Sequence, residues 1–499
     1  MSSLARMPDL GLHPSRAVID IGSNTVRLVI YGGPERAPIV VHNEKVTAKL
    51  GRSLSETGRL SQKGVKAALA ALARFRMLLD LEQVDSLDIV ATAAARDASD
   101  GPRFLERVAA LGFQPRLLSG EEEAETSALG VIAAFPGAQG IVADLGGGSL
   151  ELIDIDGEDS RHGVSLPMGT LRLPQLREKG PRGFSRFVAR QLDAADWEAE
   201  PDATLYLVGG SFRSLGKLAL SQSGLTIDDP HGHSQDRASA VAFARRIARL
   251  PAEELGPGTG IAASRLASMP HTAALLDALL ARLQPKRIVY SAWGLREGML
   301  YRSLEPPVRA QDPLLAGISA FAQRQGVSLK DAARVAAWTT LDGGEPDRLH
   351  VAATLLALGA AFLEPNLRAS HGVEWAMRKR WLGVERRDQA QLGATVLASC
   401  GRLTLPPDIA LLADAKDLHE AQARGLAIRL CRRFSSFAKR SLSDCALTVE
   451  PGRLTMSMAT PLGVLVNEGV LRDLKVLASH LGVEPAWNVV ENTPKRAVS

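Results

Sequence analysis

The sequence predicts an α/β protein of two duplicated lobes followed by a mainly helical C-terminal region. Three observations carry the prediction. Residues 16–135 alternate apolar, β-rich runs with amphipathic stretches, as in a sheet covered by helices. The design then restarts, AVIDIGSNTVRLVIYG at 17–32 returning as IVADLGGGSLELIDID at 141–156. Superposing Asp20 on Asp144 places Gly22 on Gly146 and Leu28 on Leu152, a duplication at a spacing of about 120 residues, too long for a solenoid repeat. Finally, residues 314–440 carry helical patterning almost throughout.

Each element follows from local chemistry. AVIDI and VRLVIY read as two strands joined by the tight turn GSNT. LSQKGVKAALAALARFRMLL reads as an amphipathic helix with Val65, Leu69, Leu72 and Leu79 on one face. SLDIVAT is a buried strand, then come a helix, a short strand at PRLLS and a helix from Glu121. A further turn, LYLVGGSFRSL, lies in the second copy. LEPPVRAQDP reads as a linker, and ALTVE and RLTMSMA as late strands. The domains expected are a disordered tail at 1–15, a first lobe at 16–135, a second at 136–305 and the helical region at 306–499. The last residues, ENTPKRAVS, are expected to fray.

Composition narrows the classes of function. The chain has 499 residues, 45% hydrophobic and 23% charged, the balance of a soluble protein of about three or four domains. Aromatics are 4%, so the cores rest on Ala, Leu, Val and Ile. The net charge of +4 suits an anionic ligand without requiring nucleic acid. Cys400, Cys431 and Cys445 form no CxxC pair, which argues against a disulfide framework or a zinc site. The N-terminus lacks the apolar run of a signal peptide. The stretch Leu349 to Leu363 falls short of the roughly 20 residues of a membrane helix and reads as a core helix. A cytoplasmic protein with no membrane partner is expected.

An Asp at a strand end followed by Gly and small hydroxyl residues suits phosphate. Glycine allows unusual torsions and close backbone approach, and the freed N–H groups form an anion-binding concavity. The Asp itself needs Mg²⁺ or a water between it and phosphate. A single such turn reads more readily as a plain hairpin; two matched copies suggest facing loops that clamp a phosphate chain. SFRSLGKL misses a Walker A loop at Ser211 and Leu218, and GGGSLE lacks the closing glycine of a nucleophile elbow. In SGEEEAE, Ser119 and Glu122 form a capping box, which leaves Glu123 free to face a cleft and orient or deprotonate water. Arg96 follows a buried strand, where its fork can meet phosphate or pair with Asp97 or Asp100. Glu151 can join Asp144 in holding Mg²⁺ or simply obey strand alternation, and Arg27 stands where it can touch phosphate.

At these segments the chain resembles the exopolyphosphatase / guanosine pentaphosphate phosphatase (Ppx/GppA) family, of the actin-like, ribonuclease H-like fold shared with Hsp70 and sugar kinases. The motifs are IDIGSNTVRL, LGRSLSETGRLS, ATAAARDA, LSGEEEA, ADLGGGSLEL, LVGGSFRSL and SAWGLREGML, in family order across roughly residues 16–305. The resemblance implies a catalytic Glu123 and a phosphate-contacting Arg96. It implies a first loop of Asp20, Gly22, Ser23 and Asn24, and a third of Gly209, Gly210 and Ser211. The second loop would be Asp144, Gly146, Gly147, Gly148, Ser149 and Glu151, with Asp20, Asp144 and Glu151 as metal-linked carboxylates. Mg²⁺ or another divalent cation and a homodimer are further implications. Longer members resemble HD-type phosphohydrolases at the C-terminus. Here HVAATLLALGAAF offers no His-Asp pair, and His350 and His371 stand alone, so no second metal site is expected.

The activity implied is hydrolysis of a terminal phosphoanhydride by metal-assisted water attack. Inorganic polyphosphate and guanosine penta- or tetraphosphate are the candidate ligands; basic pairs such as Arg378–Arg380, Arg386-Arg387, Arg432-Arg433 and Lys439-Arg440 favour the longer polyanion. The competing readings are a kinase on the same fold and a non-catalytic alarmone sensor.

Overall fold

The computed structural model describes residues 15–491, apart from 196, 198–199, 201, 256–258 and 342. The tail expected at 1–15 and the end beyond 491 therefore lie almost wholly outside the described residues. The chain divides into two compact units at Pro313/Leu314. Helices of eight residues or more are numbered below.

The first unit contains both copies of the duplication. Its first sheet has the order β3 (Ile39–Val46), β2 (Val26–Gly32), β1 (Arg16–Ile21), β4 (Ser86–Ala91), β5 (Arg116–Leu117). The second sheet repeats it: β8 (Asp159–Leu166), β7 (Leu150–Asp156), β6 (Gln139–Leu145), β9 (Thr204–Val208), β11 (Arg287–Tyr290), with β10 (Ser234–Asp236) added at the edge. In each, an antiparallel hairpin leads into parallel strands. The register is the same, for Asp20 pairs with Arg27 and Asp144 with Glu151. The duplication read from two short motifs thus extends to whole-sheet topology.

Helices α1 (Gln62–Glu82), α2 (Gly101–Ala109), α3 (Gly120–Ala134), α4 (Gly180–Ala194), α5 (Gly210–Gln222), α6 (Arg237–Ile247), α7 (Met269–Leu283) and α8 (Leu295–Arg302) cover the sheets. Helix α1 starts at Ser61, whose hydroxyl accepts from the Gly64 N–H, and buries Val65, Leu72, Phe75 and Leu79 against β1 and β2 residues such as Ile19 and Leu28. The second sheet buries Ile141, Leu152 and Leu205 against Phe212 and Leu276. Helix α8 follows the last strand of the second sheet, yet Met299 and Leu300 pack on Val18, Val29 and Tyr31 of the first. It crosses α3 at bare backbone: a Cβ on Gly298 would lie 1.7 Å from the Thr126 carbonyl oxygen, and one on Gly130 2.2 Å from that of Gly294.

The stretch read as a linker is anchored. Pro306–Arg309 forms a helical turn, and Arg309 donates to the Arg302 carbonyl at 3.1 Å. Arg36 donates to the Arg309 carbonyl at 3.1 Å, and both guanidinium groups stand 5.1 Å from the centre of the Tyr301 ring.

The second unit holds α9 (Pro313–Gln323), α10 (Leu329–Thr339), α11 (Arg348–Ala361), α12 (Arg368–Arg378), α13 (Arg386–Ser399), α14 (Ala415–Ser435) and α15 (Glu468–Leu481). A three-stranded sheet, β12 (Cys445–Glu450), β13 (Arg453–Ala459) and β14 (Glu484–Val490), accompanies them. Helix α11 is the apolar stretch read as a core helix, buried from His350 to Ala360. Its His350 ring lies 2.9 Å from the Thr339 hydroxyl. Several of the basic residues are paired within the unit: buried Arg386 with Gln389, and the more exposed Arg387 with Asp417 and Arg433 with Asp473, while Lys379 lies over the Phe321 and Trp381 rings. No described helix is long and apolar enough to cross a membrane.

Candidate active site

The two hairpin turns meet. In the first, the Gly22 N–H donates to the Thr25 carbonyl at 2.9 Å; in the second, Gly146 donates to Ser149 at 3.0 Å. A Cβ on Gly147 would stand 3.1 Å from the Asn24 nitrogen, and one on Gly148 2.8 Å from the Ser23 hydroxyl. Gly22 and Gly146–Gly148 keep negative φ, contrary to the expectation of unusual torsions. What the glycines of the second turn supply is room for the facing turn. Gly209 is different: its φ of 98° and a would-be Cβ 2.5 Å from the Leu145 carbonyl oxygen both require glycine.

Each turn has its carbonyls occupied from behind. The Ser23 and Asn24 oxygens accept from the Gly51 and Lys49 amides, and those of Gly146, Gly147 and Gly148 from Thr170, Leu171 and Gly169. The amides of Ser23, Asn24, Thr25, Gly147, Gly148 and Ser149 have no acceptor among the described residues. All six residues line one cavity, so the protein presents six N–H donors where a buried group ordinarily has a partner. The third loop, Gly209–Ser211, adds the first turn of α5, another source of orphan donors.

Glu123 reaches the same cavity from α3. The expected capping box forms, Ser119 N–H to Glu122 at 2.8 Å and Glu122 N–H to the Ser119 hydroxyl at 3.1 Å. That leaves Glu123, 8% exposed, to face inward. Burial pushes its carboxyl up to about 7, against the opposing charge of Arg96 at 3.1 Å. One turn later Ser127 donates to Asp144 at 2.5 Å, so α3 positions two carboxylates. Ser165 donates to Glu151 at 2.9 Å. Burial raises the carboxyls of Asp20, Asp144 and Glu151 as well, and for Glu151 the charges of Glu123 and Asp144 add to the effect.

Every candidate residue lines this cavity except Arg96. Its guanidinium is spent on Glu123, on the Leu118 carbonyl at 3.1 Å and on Asp97 at 3.5 Å. Arg96 therefore bears on the cavity through Glu123; the ion pair with Asp97 is present, and the guanidinium expected to meet phosphate does not line the cavity.

Sequence reasoning missed four cations in the wall: Lys45, Arg213, Arg265 and Arg296. Arg296 donates to Asp20 at 3.1 Å, beside a Glu297 that accepts from the Tyr31 hydroxyl at 2.9 Å. Arg265 donates to the Ser211 hydroxyl at 3.0 Å. Burial and the neighbouring charges of Arg265 and Arg27 hold the Lys45 amine down to about 8. Arg213 and Arg296 lie inside family-like motifs, a signal that was present; Lys45 and Arg265 lie in unremarkable sequence.

The sequence profile of the Ppx/GppA phosphatase family matches residues 29–306, more than half of the chain. The chain belongs to that family. Among Ppx/GppA relatives, exopolyphosphatase 1 of Mycobacterium tuberculosis is 28% identical over 306 residues, 58% of this chain and 88% of that protein. The guanosine-5'-triphosphate,3'-diphosphate pyrophosphatase of Vibrio parahaemolyticus is 25% identical over 310 residues, 60% of this chain and 61% of that one. The crystal structure of the Aquifex aeolicus Ppx/GppA family member superposes with a TM-score of 0.51 at 26% identity, covering 57% of this chain and 95% of that one. The two lobes are accordingly the part of the chain that matches the Ppx/GppA phosphatase family.

Proposed function

We propose that this phosphatase is an exopolyphosphatase that hydrolyses the terminal phosphoanhydride of inorganic polyphosphate. The observation that carries the reading is the meeting of the two turns, with six unclaimed amides and Glu123 on one cavity. The cavity is about 160 Å³, below the roughly 300–1,000 Å³ of sites that enclose drug-sized ligands, as suits one that grips only a chain end.

Phosphoryl transfer asks chiefly for positioning and charge neutralisation. The loop amides would hold the equatorial oxygens of the terminal phosphoryl group. Glu123 would orient a water in line and take its proton; the new P–O bond forms as the bridging P–O bond breaks, and the shortened chain leaves with the bridging oxygen. Arg96 would keep Glu123 ionised and aimed. Arg27, Lys45, Arg213 and Arg265 would receive the following phosphates.

Among the described residues no three Asp, Glu, His or Cys side chains are grouped to hold a metal ion. The donor set still fits a hard divalent cation, because Asp20 and Asp144 are buried oxygen donors in one cavity, and burial raises both carboxyls even with Arg296 beside Asp20 and Ser127 on Asp144. Mg²⁺ usually takes one or two carboxylates and completes its shell with water and substrate phosphates. Asp20 and Asp144 would hold it, with Glu151 behind them, and it would neutralise charge on the transferring group.

Among the described residues no aromatic side chain lines the cavity, so a guanine base would find no stacking surface on them, whereas the cations suit repeated phosphates. Phosphate release from long-chain polyphosphate and from guanosine pentaphosphate, measured side by side, tests the assignment. Faster release from polyphosphate is expected; release from the nucleotide alone would replace this reading with the pentaphosphatase one.

A further inference from the structure

Arg296 occupies a place that its charge alone disfavours. It is the second residue of α8, where the helix dipole opposes a cation. Its side chain is mostly buried, and its Nε has no hydrogen-bond partner among the described residues. Two carboxylates account for its position. Asp20, near the end of β1, accepts from its Nη1 at 3.1 Å. Glu297, its neighbour on α8, is the strongest opposite charge acting on it, ahead of Asp20.

The two carboxylates differ in how they are held. Glu297 is anchored: one oxygen accepts from the Tyr31 hydroxyl at 2.9 Å and the other from the Gly294 amide at 3.2 Å, and both bonds are buried. The Asp20 carboxylate has no hydrogen-bond partner besides Arg296 among the described residues. Asp20 and Arg296 line the main cavity, and Glu297 does not. A buried carboxylate without a counter-charge is costly, so a guanidinium on Asp20 stabilises the protein while no other cation is there.

We propose that Arg296 is a resident counter-ion that competes with the divalent cation for Asp20, and that Glu297 is a positioning residue that sets this competition by drawing the guanidinium away from Asp20. This rests on the reading of Asp20 as a cation ligand. The guanidinium displaced from Asp20 keeps Glu297 as its counter-charge and presents a donor to the cavity, where a phosphate oxygen can take it.

Titration of the full chain with Mn²⁺ in the absence of substrate tests the inference, with the free ion read by electron paramagnetic resonance. Arg296→Met removes the competitor, so Mn²⁺ should bind about tenfold tighter than to wild type, the effect of one neighbouring charge. Arg296→Lys keeps the charge and should stay near wild type, which separates competition from lost packing. Glu297→Gln leaves the guanidinium to Asp20 and should weaken binding. In Arg296→Met/Glu297→Gln, which keeps the wild-type net charge, binding should match Arg296→Met, because Glu297 acts through Arg296. Should Arg296→Met not fold, the double variant against Glu297→Gln makes the same comparison. Unchanged or weaker binding once Arg296 is replaced by Met overturns the competition, as does Arg296→Lys binding as tightly as Arg296→Met. A Glu297→Gln loss that persists in full in the double variant overturns the positioning role. If Mn²⁺ binds neither wild type nor any variant, the reading of Asp20 as a cation ligand fails, and the inference with it.

Discussion

In the proposed mechanism Glu123 and Arg96 form the pair on which the chemistry would turn. A base must be ionised to accept a proton, and burial alone would hold Glu123 protonated well above the ordinary carboxylate range, so Arg96 draws it back to about 7. Removing Arg96 removes the lowering influence. The acid limb of the kcat profile should therefore move to higher pH in Arg96→Gln, and a limb that stays in place or moves down would show that Arg96 does not act through Glu123. Lys45 has the opposite sign. It is charged below its value of about 8 and neutral above, so KM for polyphosphate should rise as pH climbs through 8, and Lys45→Met should flatten that rise. At this scale the sequence was legible where chemistry recurs: the Asp-Gly turns, the capping box and the Glu beyond it. Lys45 and Arg265 were not legible, since a lone cation reads the same on a solvated surface as in a cleft wall, and only folding brings them together.

At the scale of elements, α3 and α8 fix the site's dimensions. Helix α3 carries Glu123 and Ser127; α8 carries Arg296, which holds Asp20. Their crossing depends on Gly130 and Gly298, where any Cβ would collide with backbone. Gly298→Ala must part the helices, and overpacking of this kind costs about 1–3 kcal/mol. A lowered denaturation midpoint with lost activity is the expected outcome; an unchanged midpoint would contradict the crossing. Helix α1 was visible from periodicity because it has one apolar face, and the hairpins from continuous apolar runs, since their strands are buried on both faces. The packing of helix α8 was not legible, since the contact of Met299 and Leu300 with Val18, Val29 and Tyr31 is non-local and no short-range pattern encodes it. Strand β14 was missed because most of its residues are exposed or half-buried, which leaves no alternation to read.

For the molecule as a whole, the repeated sheet order explains how two similar hairpins come to share one cavity. The duplication supplies each lobe with an Asp at a strand end and a turn whose carbonyls are tied from behind, and in the proposed function the facing lobes would make of these two turns one clamp for an anion. The helical second unit spends Arg386, Arg387 and Arg433 on its own side chains, so the polyanion track expected there loses several of its cations, and the site's charge comes from the first unit. The account stands most directly on Glu123→Gln, with orthophosphate release and polyphosphate binding measured on the same protein. Release should fall by about 10²–10⁴-fold, the contribution of a positioned base, while affinity stays within a few-fold of wild type. Wild-type release by the variant would contradict it.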